Sequence, residues 1–463
     1  MRIARYRAAA LVISLALSFL AGILVSRNLQ ITNYTHFECV RPADFSDRAN
    51  SDKSGSETLN DASVAASSSS NADISTGNRH ACENPYIQPG YLLNKGPGIE
   101  YATSWVPFYP GLLDTDADDS TVLMKNKHPY YPDGLPPNAL LETAPHQWMQ
   151  NLIKQYRLAD KNKTASSLNE DEKQLLFSLN ADLEWLRDMR ILFLSDSVDR
   201  YQIQYICERL DQPFRLGQGG IQATSSCHIP HLNVTFVNWH FASTSVSRPD
   251  WWWMKNMHTV KFEDRWDEIY KPTIPAVIGA NGRSPDLILI NAGLWDYTFF
   301  LNAPKNYDGP VKMDRSLNWR ELKFYMQRLR HIIRLVRQEF GDNVPMICRT
   351  TTFKKSLYTN SAIFDLNRAQ RFVCRDQDIE IFDYGDLVSG RFKMYKDMVH
   401  IARGPLSMLW SNMLFWYLYR VRGGVEYRGK LLEVPGPSYI DPSEGWKKCH
   451  TALMDPVNST HSI

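Results

Sequence analysis

Short apolar runs alternate along this chain with longer segments whose apolar residues recur at helical spacing. Runs of apolar and β-branched residues predict strands at 191–194, 234–237, 287–290, 344–348 and 379–382. Apolar residues three and four positions apart predict helices at 175–189, 198–210, 319–340 and 362–374. Because strands and helices alternate, the pattern predicts an α/β domain in which helices cover both faces of a parallel sheet.

The longest apolar run lies close to the N-terminus. Residues 8–25 are apolar apart from Ser14 and Ser18, and the run is long enough to cross a bilayer as one helix. Three arginines precede it and one follows closely, so the positive-inside rule predicts a cytosolic tail at 1–7 and a lumenal remainder. A cleaved signal peptide is the alternative, but no small-residue cleavage pattern follows the run. We therefore expect a signal-anchor and a single-pass type II membrane protein.

Composition divides the rest of the chain into three parts. Residues 26–80 are rich in Ser, Asn and Asp and poor in aromatic residues, which predicts a disordered stem. Residues 81–180 are dense in Tyr, Trp, Pro and Gly and predict a loop-rich N-terminal lobe, while 181–455 contains most of the alternating strands and helices. A second apolar stretch at 406–419 is short and contains polar residues, which favours a buried core helix over a second membrane span.

Charge and cysteine content narrow the expected partners and compartment. The chain has 52 basic and 50 acidic side chains, so no strong field attracts nucleic acid. Seven cysteines predict disulfides in an oxidising compartment, with the pairing left open, and as a hypothesis the membrane-proximal Cys39 links two chains into a dimer. N-glycosylation triplets agree with a lumenal location and begin at Asn33, Asn162, Asn233 and Asn458.

Polar residues follow several predicted strands at the point where each strand ends. The run 195–197 (Ser-Asp-Ser) lies between a strand and a helix, where unpaired N–H groups and the helix dipole suit either a phosphate or a nucleophile. The run 291–296 (Asn-Ala-Gly-Leu-Trp-Asp) follows another strand, and a glycine-rich run occupies 217–220. Asp397 precedes His400 by three residues, close enough for the carboxylate to hold the imidazole's tautomer.

In this order, these motifs resemble the SGNH (GDSL-like) hydrolase superfamily. More narrowly they resemble its PC-esterase branch, which includes trichome-birefringence-like and capsule polysaccharide O-acetyltransferase-like proteins, and a fungal-type member is expected. The resemblance covers about 190–419 and implies a three-layer, flavodoxin-like α/β fold. It implies a Golgi or other secretory-pathway enzyme that is a polysaccharide O-acyltransferase, with acetyl as the expected group, or an acyl esterase. An acyl donor such as acetyl-CoA or an acylated intermediate is then a co-substrate, and no bound cofactor or metal is implied.

The resemblance also implies roles for individual residues. Ser197 would be the nucleophile, His400 the general base and Asp397 the carboxylate that orients it. The implied oxyanion donors are the backbone N–H of Ser197, the N–H of Gly219 or Gly220, and the side chain of Asn291. Weaker candidates for substrate contact are Asp196, Trp295 and Arg349.

The sequence raises a reservation about two positions, Ser195 and Arg349. Ser195 stands where the family's motif has glycine, and a serine fits there only if its backbone φ is negative. For Arg349 a structural ion pair is as consistent with the sequence as contact with an anionic group.

The residues alone leave other interpretations open. Ser197 is also consistent with a simple helix N-cap, and Asp397 with His400 is consistent with a surface pair. Loss of the motif's glycine at Ser195 suggests a catalytically inactive SGNH-fold protein that binds glycans or acts as a scaffold. A glycosyltransferase is a further alternative through Asp114 and Asp116, although no apolar strand precedes them. No cysteine and histidine residues have convincing zinc spacing. No phosphate-loop lysine motif occurs either, and its absence removes the phosphate interpretation of the 195–197 turn.

Overall fold

The fold is described from a computed structural model, within one compact unit that extends from Ser69 to Ile463. The residues described are 82–93, 103–108, 144–163, 168–217, 223–244, 261–278, 282, 284–302, 315–355, 360–427, 430–435 and 441–454. The predicted anchor, the stem, Cys39 and the Asp114–Asp116 motif lie outside these residues. Within them, no helix has both the length and the apolar character needed to span a bilayer.

The described residues before the main sheet form a small two-stranded sheet and two helices. Strand β1 (Gly90–Leu93) pairs antiparallel with β2 (Ser104–Pro107). Helices α1 (Trp148–Lys163) and α2 (Glu170–Leu183) follow, and a 3₁₀ turn (Glu184–Leu186) leads into the main sheet. The predicted helix at 175–189 therefore begins earlier and ends in this tighter turn.

The main domain alternates strands and helices. Its elements, in order, are β3 (Arg190–Ser195), α3 (Ser197–Arg209), β4 (Phe214–Leu216), β5 (Thr224–Ile229), β6 (Val234–His240), α4 (Phe262–Arg265), a π-helical turn (Trp266–Tyr270), a 3₁₀ turn (Lys271–Thr273), α5 (Ile274–Ile278), β7 (Leu287–Ile290), α6 (Leu294–Asn302), α7 (Trp319–Phe340), β8 (Met346–Arg349), α8 (Ser361–Asp376), β9 (Glu380–Phe382), α9 (Tyr384–Leu387), a 3₁₀ turn (Phe392–Met394), α10 (Pro405–Val421), β10 (Val425–Tyr427), β11 (Lys430–Glu433) and α11 (Pro442–Met454). Strands β10 and β11 form a separate antiparallel pair.

Seven strands form the main sheet in the order β4-β5-β6-β3-β7-β8-β9. The five strands from β6 to β9 are parallel, and β4 and β5 join the β6 edge antiparallel. Numbered along the chain, the parallel strands lie in the order 2-1-3-4-5, which is the flavodoxin-like arrangement. The α/β prediction is confirmed, and its parallel sheet is corrected to a mixed one because β4 and the polar Thr224–Ile229 segment (β5) extend one side of the sheet in antiparallel pairing. Strand β3 lies at the switch point between β6 and β7, where ligands bind in such sheets.

Apolar side chains cover both faces of the sheet. Along β3, Ile191 and Phe193 point to one face and Leu192 and Leu194 to the other, as the two-residue period of a strand requires. Residues of α1, α3 and α10 pack on the first face, and residues of α7 and α8 on the second. The molecule therefore has three layers, and α10 is a buried core helix, as the sequence predicted.

The predicted helix at 319–340 agrees with α7 at both ends, and the residues at those ends explain the agreement. Asn318 caps its start by accepting hydrogen bonds from the backbone N–H groups of Arg320 and Glu321, and the Glu321 side chain bonds back to the Asn318 N–H. Gly341, with φ of 98°, ends the helix in a conformation that glycine adopts without strain.

Residues before 181 share the sheet's hydrophobic core. Trp148 and Met149 belong to the same buried cluster as Phe193, and the Met149 N–H donates to Asn412 Oδ1 on α10 at 2.9 Å. Disulfides join Cys82 to Cys449, Cys207 to Cys227 and Cys348 to Cys374, which supplies the pairing that the sequence left open. The division of the chain into a lobe and a catalytic domain remains a prediction.

Candidate active site

The turn after β3 places a serine at the first position of α3. Asp196 is the N-cap, and its Oδ1 accepts a hydrogen bond from the Val198 N–H at 2.8 Å. Ser197 is the next residue, so its hydroxyl is not used in capping. The interpretation of Ser197 as a simple N-cap is therefore wrong, because the neighbouring aspartate fills that position. The serine lies at the carboxyl end of the central strand.

A histidine and an aspartate from the 397–400 segment complete a hydrogen-bonded chain with this serine. Ser197 Oγ lies 2.7 Å from His400 Nε2, and His400 Nδ1 lies 2.7 Å from Asp397 Oδ2. The other Asp397 oxygen accepts the backbone N–H groups of Val399 at 2.9 Å and His400 at 2.8 Å. These bonds fix the carboxylate against the histidine's own backbone. The Tyr201 ring makes a T-shaped contact with the imidazole, with the two ring centroids 4.8 Å apart.

The surroundings favour an ionised Asp397 and a neutral His400. Burial lowers the pKa of His400 and outweighs the opposing effect of Asp397, and the positive charges of Lys396 and Arg200 lower it further. Burial raises the pKa of Asp397, but hydrogen bonds from Val399 and His400 outweigh this effect and keep that pKa below its usual value. A neutral imidazole hydrogen-bonded to a hydroxyl can accept its proton.

A buried ion-pair network lies below the serine turn. Arg349 is fully buried and donates through Nε to Asp199 at 2.8 Å, while its terminal nitrogen lies 3.4 Å from Asp196 Oδ1. Trp410 donates to the other Asp199 oxygen at 3.1 Å. Arg349 and Asp196 were weaker candidates for substrate contact. The structure corrects both, since Arg349 forms a structural ion pair and Asp196, 2% exposed, caps a helix.

Asn291 does not present its amide to the serine. This side chain is fully buried, and Nδ2 donates to the Arg349 carbonyl at 2.7 Å with the Thr351 hydroxyl 3.4 Å away. It therefore ties the end of β7 to the end of β8, which corrects its predicted role as an oxyanion donor. Gly293 permits this close approach, because a Cβ there would lie 1.9 Å from Thr351 Oγ1.

The other predicted oxyanion donors are backbone N–H groups, from Gly219 or Gly220 and from Ser197. Gly219 and Gly220 lie outside the described residues. The Ser197 N–H belongs to the first turn of α3, where backbone N–H groups have no acceptor within the helix.

Ser195, where the resemblance leads us to expect glycine, shows no backbone strain. It is the last residue of β3, and its backbone φ is not positive. Its hydroxyl is fully buried and donates to Asn238 Oδ1 on β6 at 2.7 Å. The condition set by the sequence, a negative φ, is therefore met, and the side chain is hydrogen-bonded to the neighbouring strand.

Two further residues lie over the end of β3. Trp295, the third candidate for substrate contact, is partly exposed, and its ring centroid lies 6.0 Å from that of His240. His240 is the last residue of β6 and was not predicted, because the apolar pattern ended that strand at 237 while the strand extends three residues further. Extending the strand to its full length would have brought this histidine to the same sheet edge.

The remaining sequence-level sites fall on the surface or outside the described residues. Asn162 and Asn233 are exposed, and the Asn233 side chain donates to Asp188 at 2.6 Å, whereas Asn33 and Asn458 are not described. Among the described residues, no group of three or more His, Cys, Asp or Glu side chains is arranged to hold a metal ion.

Comparisons with known proteins give distant structural similarity. No family model matches the chain, and no curated protein matches it. Solved structures similar to it include an acetylxylan esterase from Geobacillus stearothermophilus, with 13% identity, 50% of this chain and 95% of that one covered, and a TM-score of 0.31. Another is the lipase/acylhydrolase from Enterococcus faecalis, with 12% identity, 52% and 98% covered, and a TM-score of 0.28. Similarity at this level leaves the activity to be argued from the chain's own residues.

Proposed function

We propose that this protein is a serine acyl esterase or O-acyltransferase of the SGNH kind. The observation that carries the proposal is the chain of two 2.7 Å contacts from Ser197 through His400 to Asp397 at the switch point of the sheet. A hydroxyl is a weak nucleophile until a base takes its proton, and the orienting carboxylate keeps the base in the correct tautomer.

The reaction proceeds through an acyl-enzyme. Ser197 Oγ attacks the ester carbonyl carbon while its proton passes to His400 Nε2, and the carbonyl electron pair moves onto oxygen. When that pair returns, the bond to the leaving alkoxide breaks and the alkoxide takes the proton from His400. Water or a sugar hydroxyl then attacks the acyl-serine by the same steps in reverse. Asp397 remains ionised and stabilises the imidazolium that forms in each half.

The proposed substrates are acetylated carbohydrates, with a polysaccharide hydroxyl as the acceptor in the transferase form. This part of the proposal is supported by the order and spacing of the sequence motifs and by their resemblance to the PC-esterase branch. The predicted anchor at 8–25 and the N-glycosylation triplets support a location in a secretory-pathway membrane with the site in the lumen.

The proposal is tested by hydrolysis of p-nitrophenyl acetate and of acetylated oligosaccharides by the purified wild-type protein, Ser197→Ala and His400→Ala. We expect each substitution to lower kcat/KM by about 10³-fold or more, because each removes a member of the nucleophile and base pair. Mass spectrometry of products made with free glycans present would separate transfer to sugar from release of acetate.

Matched controls separate chemistry from folding. Ser389→Ala removes an exposed serine and His228→Ala an exposed histidine of β5, and both should leave activity unchanged. A folded wild-type protein without activity on any ester would favour the glycan-binding or scaffold alternative. Full activity in both Ser197→Ala and His400→Ala would reject the proposed site.

A further inference from the structure

His240 is a buried histidine for which the proposed mechanism has so far given no role. It ends β6 with a side chain 1% exposed, and neither ring nitrogen has a hydrogen-bond partner. Leaving a buried polar group unpaired is unfavourable, so native structures keep few such groups. The backbone is firmly held, because the His240 carbonyl accepts a hydrogen bond from the Arg265 guanidinium at 2.8 Å. The backbone that carries the unpaired imidazole is therefore held in place.

His240 lies on the strand beside the one that leads to the proposed nucleophile. His240 is the register partner of Ser195, two residues before Ser197, and the following Phe241 N–H donates to the Ser195 carbonyl at 2.8 Å. Strand β3 lies between β6, which carries His240, and β7, which leads to Trp295. The contact between the His240 and Trp295 rings therefore extends across the end of β3, where the chain turns into Ser197.

The ring is a neutral hydrogen-bond donor in these surroundings. Burial lowers the pKa of His240 well below its usual value, and the positive charges of Arg265 and Arg200, together with His400 when it is protonated, lower it further. A neutral imidazole always carries one N–H. Such a group can donate to an oxygen that gains negative charge without bringing a full positive charge that would hinder proton transfer to His400.

We propose that His240 donates a hydrogen bond to the substrate's acyl carbonyl oxygen and stabilises the oxyanion that forms when Ser197 attacks. The inference rests on the proposed acyl-transfer function and names one further catalytic residue for it. It assigns to His240 a share of the role that the resemblance implied for Asn291, whose amide is bonded to the Arg349 carbonyl instead. In the free protein the imidazole has no partner, and the carbonyl oxygen of the bound ester supplies one.

The test compares His240→Leu with His240→Gln in the purified protein, using p-nitrophenyl acetate and counting active sites by the initial burst of p-nitrophenol. We expect His240→Leu to lower kcat per active site by about 10²-fold or more, with KM changed less than about threefold, since one oxyanion donor contributes that much. His240→Gln keeps an N–H donor and should recover a measurable part of the lost kcat. Because the leucine removes an unpaired buried polar group, its Tm should equal or exceed that of the wild type.

The outcomes separate this inference from the function on which it rests. An inactive Ser197→Ala beside a His240→Leu variant with wild-type kcat per active site would overturn the inference alone. Equal losses in the Leu and Gln variants that follow a fall in Tm would also overturn it, because they indicate a structural role. If Ser197→Ala remains active, the proposed function itself fails. The control variant His228→Ala, which replaces a histidine on the adjacent strand β5, should match the wild type throughout.

Discussion

The orientation of one imidazole decides whether Ser197 is a nucleophile. The Asp397 carboxylate holds His400 through the 2.7 Å contact with Nδ1 and is itself held by two backbone N–H groups. Asp397→Asn replaces the carboxylate with an amide that can donate to Nδ1 and stabilise the wrong tautomer. We expect kcat/KM for p-nitrophenyl acetate to fall about 10²-fold or more, with Tm nearly unchanged. A loss smaller than about threefold would show that Asp397 does not orient the base.

The pH dependence of activity follows from the environment of His400. The base must be neutral, so activity rises with pH through its pKa, which burial places below the usual 6.5. We expect half-maximal kcat/KM below pH 6.5 and a plateau at neutral pH. Lys396→Gln removes a neighbouring positive charge and should move the acid limb to higher pH, with a smaller shift at high salt. An acid limb centred above pH 6.5, or one that Lys396→Gln leaves in place, would contradict this assignment.

Single residues differ in how far sequence alone could place them. Ser197, Asp397 and His400 follow from motif order because each lies at a strand end or in a short segment where spacing limits the geometry. Asn291 and Arg349 also follow strands, but whether such a side chain turns toward solvent or toward the ends of neighbouring strands depends on long-range packing. Asn291 bonds a carbonyl of β8, and Arg349 bonds carboxylates of the turn and helix after β3. No local sequence pattern predicts these contacts of Asn291 and Arg349.

Arg349 stabilises the strand–turn–helix unit from β3 to α3 through ion pairs. Its guanidinium forms an ion pair with Asp199 and lies 3.4 Å from Asp196, and both carboxylates are buried. Arg349→Leu would leave two buried carboxylates without their cation, and we expect a loss of about 3–5 kcal/mol in the free energy of unfolding. Chemical denaturation measures this loss. Arg371→Leu, at a partly exposed pair with Asp383 and Asp386, should cost about 1 kcal/mol or less, and equal costs for the two variants would contradict the distinction.

At the scale of elements, strong amphipathic patterns predicted more than weak ones. Helix α7 agrees with its prediction because its apolar stripe, capping box and terminal glycine all indicate the same boundaries. The edge strands β4 and β5 were missed, since Thr224–Ile229 is rich in polar residues. This segment is positioned by pairing with β6 and by the disulfide from Cys227 to Cys207 on α3. Neither constraint is visible in the polar composition of the segment itself.

At the scale of the whole molecule, a buried acid joins the N-terminal segment to the C-terminal strands. Glu426 on β10 is 4% exposed and accepts a hydrogen bond from the His146 N–H just before α1. Burial raises the pKa of Glu426 to about 7, above the ordinary 4.5, so the folded protein holds this proton more tightly than the unfolded chain. The resulting stabilisation is complete below about pH 4.5 and is lost as pH rises through about 7.

Glu426→Gln should remove this pH dependence, because an amide of similar shape needs no proton. We expect the variant to match the wild type below pH 4.5 and to be more stable at pH 8, by on the order of 3 kcal/mol. Thermal unfolding at both pH values measures the difference. A stability difference that is the same at both pH values would contradict the raised pKa.

Composition predicts a loop-rich N-terminal lobe at 81–180, and aromatic residues from both sides of residue 181 pack together. Trp148 and Trp185 make an edge contact and both pack against Tyr419 of α10. Local composition reports loop content and aromatic density. It does not report which core the aromatic residues join, because that depends on helices more than two hundred residues later in the chain.

The central claim is that Ser197 carries the acyl group, and it is tested most directly by trapping that intermediate. The wild-type protein is mixed with p-nitrophenyl acetate, quenched in acid during the burst and digested for mass spectrometry. The proposed function predicts one acetyl group on the peptide containing Ser197, none at this position in Ser197→Ala, and much less in His400→Ala. Acetylation only at other residues, or a burst of equal size in Ser197→Ala, would contradict it.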